Sequence, residues 1–204
     1  MALAVMLAGT ASLSAQAPEE IIRKMDEQME RGTTEGIVFD LVMKLPIVGT
    51  ITSHNMSLGD KMKIEVSEKD KHVMTWSDGK TDWVYDMKAN TITIKNATSK
   101  ENQATDDSDL NAFKGLAEGY DLTVNKETDE AWYITCKKKK SNKDKDDPKT
   151  VDLAIAKGTY YPIYIRTKKS VFTISFENVS VGVTEAQVTF NQADYPDATI
   201  TDKR

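Results

Sequence analysis

The sequence predicts an α+β protein made mainly of antiparallel strands, with about ten strands and two helices. Segments in which apolar and polar residues alternate recur along the chain, whereas two other segments follow the helical period. No proline-rich linker or tandem repeat divides the 204 residues. We therefore expect one domain in which a sheet, open or closed, shares its core with helices on one face.

Composition narrows the functional class. Hydrophobic residues make up 39% of the chain and charged residues 29%, a balance typical of a globular domain rather than a disordered one. The net charge of -5 lacks the positive field of a nonspecific nucleic-acid binder, so no nucleic acid is expected as a partner. A single cysteine, Cys136, excludes an internal disulfide and a thiolate cluster for metal.

Residues 1–17 resemble a secretory signal peptide. They contain no charged residue and pass from an apolar run into small residues, with Ala15 and Ala17 at small-x-small spacing. The basic residues that usually open such a signal are missing, and the alternative is a buried N-terminal helix. With export, the domain covers residues 18–204, and with no cysteine near the cleavage site we expect it to be soluble in the periplasm and not lipidated.

The first helix is predicted immediately after this segment. Pro18 and two glutamates suit a first helical turn, and Gly32 suits the position after the last one. Between them lies one apolar stripe, which is formed by Ile21, Ile22, Met25 and Met29. A second helix is predicted over residues 106–119, where acidic residues precede Leu110, Phe113 and Leu116.

Strands are predicted wherever the period changes to two. The longest run places Ile37, Phe39, Leu41, Met43 and Leu45 on one face. Asp78-Gly79 between two shorter runs is typical of a tight hairpin turn. The other runs lie at residues 62–66, 74–76, 83–85, 92–94, 122–124, 132–136, 151–155, 161–165, 171–176 and 186–190.

Catalytic and metal-binding patterns are missing from the sequence. His54 and His72 are not at metal-ligand spacing, and no metalloprotease, nucleophile-elbow or P-loop motif occurs. Cys136 alternates with Trp132 and Ile134, so we interpret it as a small buried hydrophobe. We therefore expect a binding protein rather than an enzyme, with no cofactor and no metal.

Two compositional features have both a functional and a structural interpretation. Residues 137–149 hold seven lysines and three aspartates, beginning with Lys137, Lys138, Lys139 and Lys140. They predict either a solvated loop that discourages edge pairing or a docking site for anionic headgroups or an acidic partner. Seven methionines lie between residues 25 and 87, where they either fill an ordinary core or form a wall that accepts flexible ligands.

One hairpin resembles a known family. Residues 73–86, VMTWSDGKTDWVYD, resemble the hairpin of the LolA family of periplasmic outer-membrane lipoprotein carriers, in which S-D-G-K-T leads to W-x-Y. Residues 188–190, Pro196 and residues 199–202 are similar to that family's closing strand and tail. The order of elements also agrees along residues 18–204.

The resemblance implies an unclosed half β-barrel of about ten or eleven strands, with helices covering the concave face. It implies a monomeric carrier of acylated lipoproteins between an inner-membrane ABC transporter and an outer-membrane acceptor. It also implies an arginine that latches the helical lid, but residues 59–63 of this chain carry only Lys61 and Lys63. Lysine lacks the planar fork of arginine, so the latch is not expected here.

From alternation and the resemblance together, we predict an acyl-chain cavity between sheet and helices. Two alternatives remain: a carrier of other lipids or glycolipids, and a periplasmic sensor or interaction module of the same fold. The predicted lining residues are Ile21, Ile22, Met25, Ile37, Phe39, Leu41, Met43, Met62, Ile64, Met74, Trp76, Trp83, Tyr85, Leu110 and Phe113.

Overall fold

The structure is a computed structural model that describes residues 16–68, 71–97, 115–169 and 171–204. Residues 1–15 of the expected signal peptide lie outside the described residues, as do residues 106–114 of the predicted second helix, with Leu110 and Phe113.

Twelve strands form one sheet in the described part of the chain. The strand order is β12-β6-β5-β4-β3-β2-β1-β11-β10-β9-β8-β7, and all neighbours are antiparallel except β12 and β6. The strands β12 and β7 stand at the two ends of this order and do not pair with each other, so the sheet is not closed. This confirms the predicted unclosed, mainly antiparallel fold. The strands are β1 (Ile37–Leu45), β2 (Gly49–Leu58), β3 (Lys61–Glu68), β4 (Lys71–Ser77), β5 (Thr81–Asp86), β6 (Thr91–Asn96), β7 (Tyr120–Glu127), β8 (Ala131–Lys138), β9 (Thr150–Ala156), β10 (Pro162–Lys169), β11 (Phe172–Val181) and β12 (Thr199–Asp202).

The helix predicted after residues 1–17 is confirmed as α1 (Pro18–Glu30). Shorter helical turns are α2 (Gly32–Glu35), α3 (Leu116–Gly119), α4 (Glu185–Val188) and a 3-10 turn at Gln192–Asp194. Gly36 joins α2 to β1 with a φ of 76°, and a Cβ there would lie 2.6 Å from the backbone oxygen of Ser57. This junction therefore requires glycine, which lets β1 begin directly beneath the helices.

The main core lies between α1 and one face of the sheet, which we call the helix face. Ile21, Ile22 and Met25 of α1 are buried in one cluster with side chains from β1 and from β7 to β11. The sheet side of that cluster consists of Ile37, Phe39, Leu41, Tyr120, Trp132, Ile134, Cys136, Val151, Leu153, Ile155, Ile165, Phe176 and Val179. Burying these side chains removes a large apolar area from water, which fixes α1 on this half of the sheet.

A second packed region lies on the opposite face, which we call the outer face. There the C-terminal segment 183–202 crosses the other half of the sheet. Phe190 stacks on Trp83 with ring centroids 5.5 Å apart, and Tyr195 contacts Tyr85 at 4.6 Å. Trp76 lies between them, at 5.5 Å from Phe190 and 5.7 Å from Tyr195. This aromatic cluster holds the C-terminal segment against β4 and β5.

The architecture differs from the sequence predictions at three points. Strand β2 is missing from the predicted strands, because Ser53, Asn55 and Ser57 occupy three successive positions of its helix face. Residues 186–190 are not a strand, since Thr184 and Gln187 form a capping box that opens α4. The helix α1 lies on the helix face as expected, and the short helix α4 lies over the outer face, where Glu185 pairs with Lys61.

Candidate functional site

The helix face of the β2 to β6 half carries a strip of apolar side chains that are half-buried. Strand register places Ile64 of β3 opposite Asn55 of β2 and Thr75 of β4, and Thr75 opposite Val84 of β5. Residues directly opposite each other in antiparallel strands share a face, so these side chains lie in one row. Adjacent rows complete what we call the apolar strip: Met62, Ile64, Val66, Val73 and Val84.

One row of buried polar side chains lies between the apolar strip and the main core. Phe39 of β1 pairs with Asn55, which pairs with Ile64, while Leu41 pairs with Ser53, which pairs with Val66. Phe39 and Leu41 are each 5% exposed and belong to the core cluster with α1. The strip and the core therefore share one face of the sheet about 10 Å apart, with Ser53 and Asn55 between them.

Two buried polar groups flank the strip. The Asn55 side chain is 3% exposed, and its Nδ2 donates to the carbonyl oxygens of Ser53 at 3.0 Å and Phe39 at 3.5 Å. Asp82 is 4% exposed, with its Oδ2 3.8 Å from the Nζ of Lys95. Within the described ranges, neither Asn55 Oδ1 nor Asp82 Oδ1 has a hydrogen-bond partner. Leaving an acceptor buried and unsatisfied costs about 1–3 kcal/mol, so these two oxygens are destabilising positions on the helix face.

Polar contacts hold α1 near the sheet at its middle and just past its C-terminal end. In the middle of the helix, Lys24 donates to the hydroxyl of Tyr160 at 3.4 Å, and its Nζ lies 4.9 Å from that ring. Hydrogen bonds to Glu20 and Tyr160 raise the pKa of Lys24. At the C-terminal end, Arg31 donates to the hydroxyl of Tyr161 at 3.4 Å. These contacts orient the helix over β7 to β11 rather than over the apolar strip.

The predicted lining residues separate into two groups. Ile21, Ile22 and Met25 of α1 lie on the helix face, together with Ile37, Phe39, Leu41 and Met43 of β1 and Met62 and Ile64 of β3.

The second group lies on the outer face, which corrects the prediction of a single wall. Register pairs Lys63, not Ile64, with Trp76, so Met74, Trp76, Trp83 and Tyr85 point away from α1. There they contact the C-terminal segment, and the hydroxyl of Tyr195 lies 3.9 Å from the Met74 sulfur. Sequence reasoning missed Val73 and Val84, which occupy the helix face in their place.

The two lysines at the position of the family latch also point outward. Lys61 forms an ion pair with Glu185 of α4 and lies 3.4 Å from the hydroxyl of Thr189. The Nζ of Lys63 lies 5.4 Å from the centre of the Trp76 ring. Both therefore support the C-terminal segment rather than α1.

The lysine-rich segment forms the connection between β8 and β9. Lys138 binds the backbone oxygens of Asp144 and Asp147, and Lys139 donates to the backbone oxygen of Glu118 at 2.9 Å. Lys137 and Lys140 are exposed. Beside this loop lies a polar cleft of about 440 Å³, lined by Gly115, Glu118, Gly119, Tyr120, Ser141, Asn142 and Asp147.

The remaining candidate groups have structural surroundings. Cys136 is fully buried in the core, and burial raises the pKa of its thiol to about 12. The Nδ1 of His54 lies 2.6 Å from an oxygen of Asp40 on the outer face. Across the described residues, no group of three or more His, Cys, Asp or Glu could hold a metal ion. No described helix is long and apolar enough to cross a membrane.

Several solved structures are similar to this chain. An uncharacterized conserved protein from Thermus thermophilus is 14% identical, with a TM-score of 0.43, and the match covers 92% of this chain and 100% of that one. A LolA superfamily protein from Nitrosomonas europaea is 11% identical, with a TM-score of 0.36, over 88% of this chain and 100% of that one.

A putative outer membrane lipoprotein-sorting protein domain from Vibrio parahaemolyticus is 13% identical, with a TM-score of 0.32, over 84% of this chain and 95% of that one. No protein-family model and no curated protein matches the chain.

Proposed function

We propose that the protein binds acyl chains on the apolar strip beside α1 and carries acylated lipoproteins across the periplasm. The observation that carries this proposal is the apolar strip itself, which is only half-buried although it shares one face of the sheet with the main core. The signal-like residues 1–17 and the LolA-like hairpin support the location and the cargo class. In this proposal the partners are an inner-membrane ABC transporter and an outer-membrane acceptor.

Hydrophobic burial supplies the binding energy. Each CH₂ group removed from water contributes about 0.8 kcal/mol, so half of a long acyl chain sheltered on the strip contributes several kcal/mol. The cargo therefore needs an apolar chain.

A displacement assay tests the proposal. An environment-sensitive fluorescent fatty acid is bound to the purified protein and is then competed with a triacylated peptide or an unlabelled fatty acid. We expect both competitors to displace it. Failure of folded protein to bind either ligand contradicts acyl binding, whereas displacement by the fatty acid alone assigns the site to free lipids instead of lipoproteins.

Two neighbouring positions on β3 provide a matched pair of variants. Ile64→Asp places a charge in the apolar strip, and Lys63→Asp places the same charge one residue away on the outer face. We expect Ile64→Asp to weaken binding about tenfold or more, equivalent to at least about 1.4 kcal/mol, and Lys63→Asp to leave it nearly unchanged. Circular dichroism must show both variants folded, and equal loss in the two variants would contradict the assigned face.

A further inference from the structure

Exposed apolar side chains collect at one end of the sheet. In the described part of the chain, six large apolar side chains are exposed, and four of them, Ile47, Val48, Met87 and Val171, lie in or beside turns. Ile47 is 98% exposed and Val171 is 69% exposed. Single exposed apolar residues are ordinary, but a group of them at one place indicates an interaction site.

Strand register shows that these turns share one end of the sheet. Lys44 of β1 pairs with Thr173 of β11, so the turn at residues 46–48 lies beside Val171. The same pairing pattern places the turn at residues 87–90 and the loop at residues 139–149 at this end. The connections at residues 46–48, 171 and 139–149 join consecutive pairs of strands and are therefore spaced by about 10 Å, whereas the turn at residues 87–90 lies four strands away from the turn at residues 46–48. We call this the basic end.

Lysines surround the exposed apolar side chains at the basic end. Three consecutive connections there, at residues 46–48, 139–149 and 171, carry five lysines against three aspartates, and exposed Lys44 and Lys168 lie in the strands beside them. The acidic residues Glu118 and Asp197 also lie at this end, where their backbone oxygens accept from Lys139 and Asn90. Cations and exposed apolar side chains therefore occur together at one end of a protein whose overall charge is -5.

We propose that the basic end docks the protein on the surface of an anionic lipid bilayer. Lysines on a surface are attracted to anionic headgroups, while apolar tips insert at the boundary of the acyl region. Ile47, Met87 and Val171 project from separate turns. A fluid bilayer can surround separate tips, whereas a protein partner needs a matching pocket for each one. This docking goes beyond acyl binding and does not depend on it.

Vesicle co-sedimentation tests the docking. The full chain without residues 1–17 is mixed with vesicles of phosphatidylcholine alone or with 30% phosphatidylglycerol, at low salt and at high salt. We expect binding to the anionic vesicles and weakening at high salt, because salt screens the lysines. Equal binding to neutral vesicles overturns the anionic assignment. Failure to bind either vesicle overturns the proposal and leaves an acidic protein as the occupant of this end.

Variants locate the contact on the molecule. We expect the double variant Ile47→Ser, Val48→Ser to weaken anionic vesicle binding about tenfold or more, since it removes two inserted side chains. Lys140→Ala and Lys145→Ala are each expected to weaken it about fivefold, equivalent to about 1 kcal/mol per lysine.

Controls are taken from the opposite end. Ile163→Ser removes a side chain that is 41% exposed at the start of β10, and Lys80→Ala removes an exposed lysine. Both should bind vesicles like the parent protein. Vesicle binding that falls equally in the controls, or that is unchanged in the basic-end variants, overturns the proposal. Acyl displacement should stay normal in all these variants, which separates failure of docking from failure of acyl binding.

Discussion

The two halves of the sheet bury opposite faces. In the half formed by β1 and β7 to β11, the helix face is closed by α1, with Leu153 and Ile134 only 1% exposed. In the half formed by β2 to β6, the apolar strip on the helix face is half-buried, and the C-terminal segment covers the outer face through Phe190 and Tyr195. One half is therefore a closed core, whereas the other leaves an apolar strip partly exposed and packs its opposite face against the C-terminal segment.

This difference explains how an open sheet can combine stability with a binding surface. The packed core and the aromatic cluster provide stability on different faces, so the apolar strip does not have to be buried completely. A residue of the strip and a residue of the core should therefore respond differently to the same substitution.

The largest expected effect comes from truncating the closed core. Leu153→Ala should lower the free energy of unfolding by about 3 kcal/mol, because it leaves a cavity among buried side chains. Ile64→Ala in the apolar strip should cost less than about 1 kcal/mol, since Ile64 is only half-buried. Urea denaturation followed by circular dichroism measures both. Similar losses would show that the strip is part of the stable core.

The next effect concerns the aromatic cluster on the outer face. Phe190→Ala should cost about 2 kcal/mol, because it removes apolar burial and ring contacts with Trp76 and Trp83. Tyr133→Ala provides the control, since Tyr133 is half-buried outside this cluster, with Lys126 over its ring. Unfolding by urea and near-UV circular dichroism follow the two variants. A smaller loss for Phe190→Ala than for Tyr133→Ala would contradict a stabilising role for the C-terminal segment.

Alkaline pH should weaken the closed core. Burial raises the pKa of both Cys136 and Tyr120 to about 12, above their ordinary values of 9.0 and 10.0. Below the unfolded-state pKa, each group is protonated in both the folded and the unfolded protein. Stability is then lost as pH rises from about 9 to 12 for Cys136 and from about 10 to 12 for Tyr120. The expected slope is about 1.4 kcal/mol per pH unit for each group. In Cys136→Ala, the decline between pH 9 and 10 should nearly disappear, and an unchanged decline would contradict burial of the thiol.

The smallest effect is expected at the ion pair that holds α4. Lys61→Ala should cost less than about 1 kcal/mol and leave acyl binding unchanged, because the pair with Glu185 is largely exposed and lies on the outer face. Unfolding by urea and acyl displacement measure the two quantities. Loss of acyl binding in this variant would show that Lys61 acts as a lid latch after all.

Alternation of apolar and polar residues predicts most of the strands, but it does not predict which side chains of two neighbouring strands lie on the same face of the sheet. The pattern predicts β1 and α1 because their apolar periods are long. The face of β4 depends instead on pairing across the hairpin after β3, where Glu68 pairs with Lys71. A slip of one residue moves every side chain of a strand to the other face. The sequence between these strands contains no glycine or proline turn signal, so alternation alone assigns Trp76 to the wrong face.

Other elements depend on residue patterns that are different from apolar alternation between strands. The strand β2 escapes prediction because Ser53, Asn55 and Ser57 give its helix face no apolar period. The helix α4 could have been found from Thr184 and Gln187, whose spacing is that of a capping box. The prediction of Cys136 as a buried hydrophobe is confirmed, because its neighbours on β8 alternate clearly.

The most direct test of acyl binding on the helix face is photocrosslinking with an acyl chain. A fatty acid with a diazirine near the end of its chain is irradiated with the protein, and the labelled residues are identified by mass spectrometry. We predict labelling of the helix face, at Met62, Ile64, Val66, Val73 or Val84, and loss of the label with an excess of unlabelled acyl ligand. Labelling confined to the outer face, around Met74, Trp76 and Phe190, would contradict the proposed site.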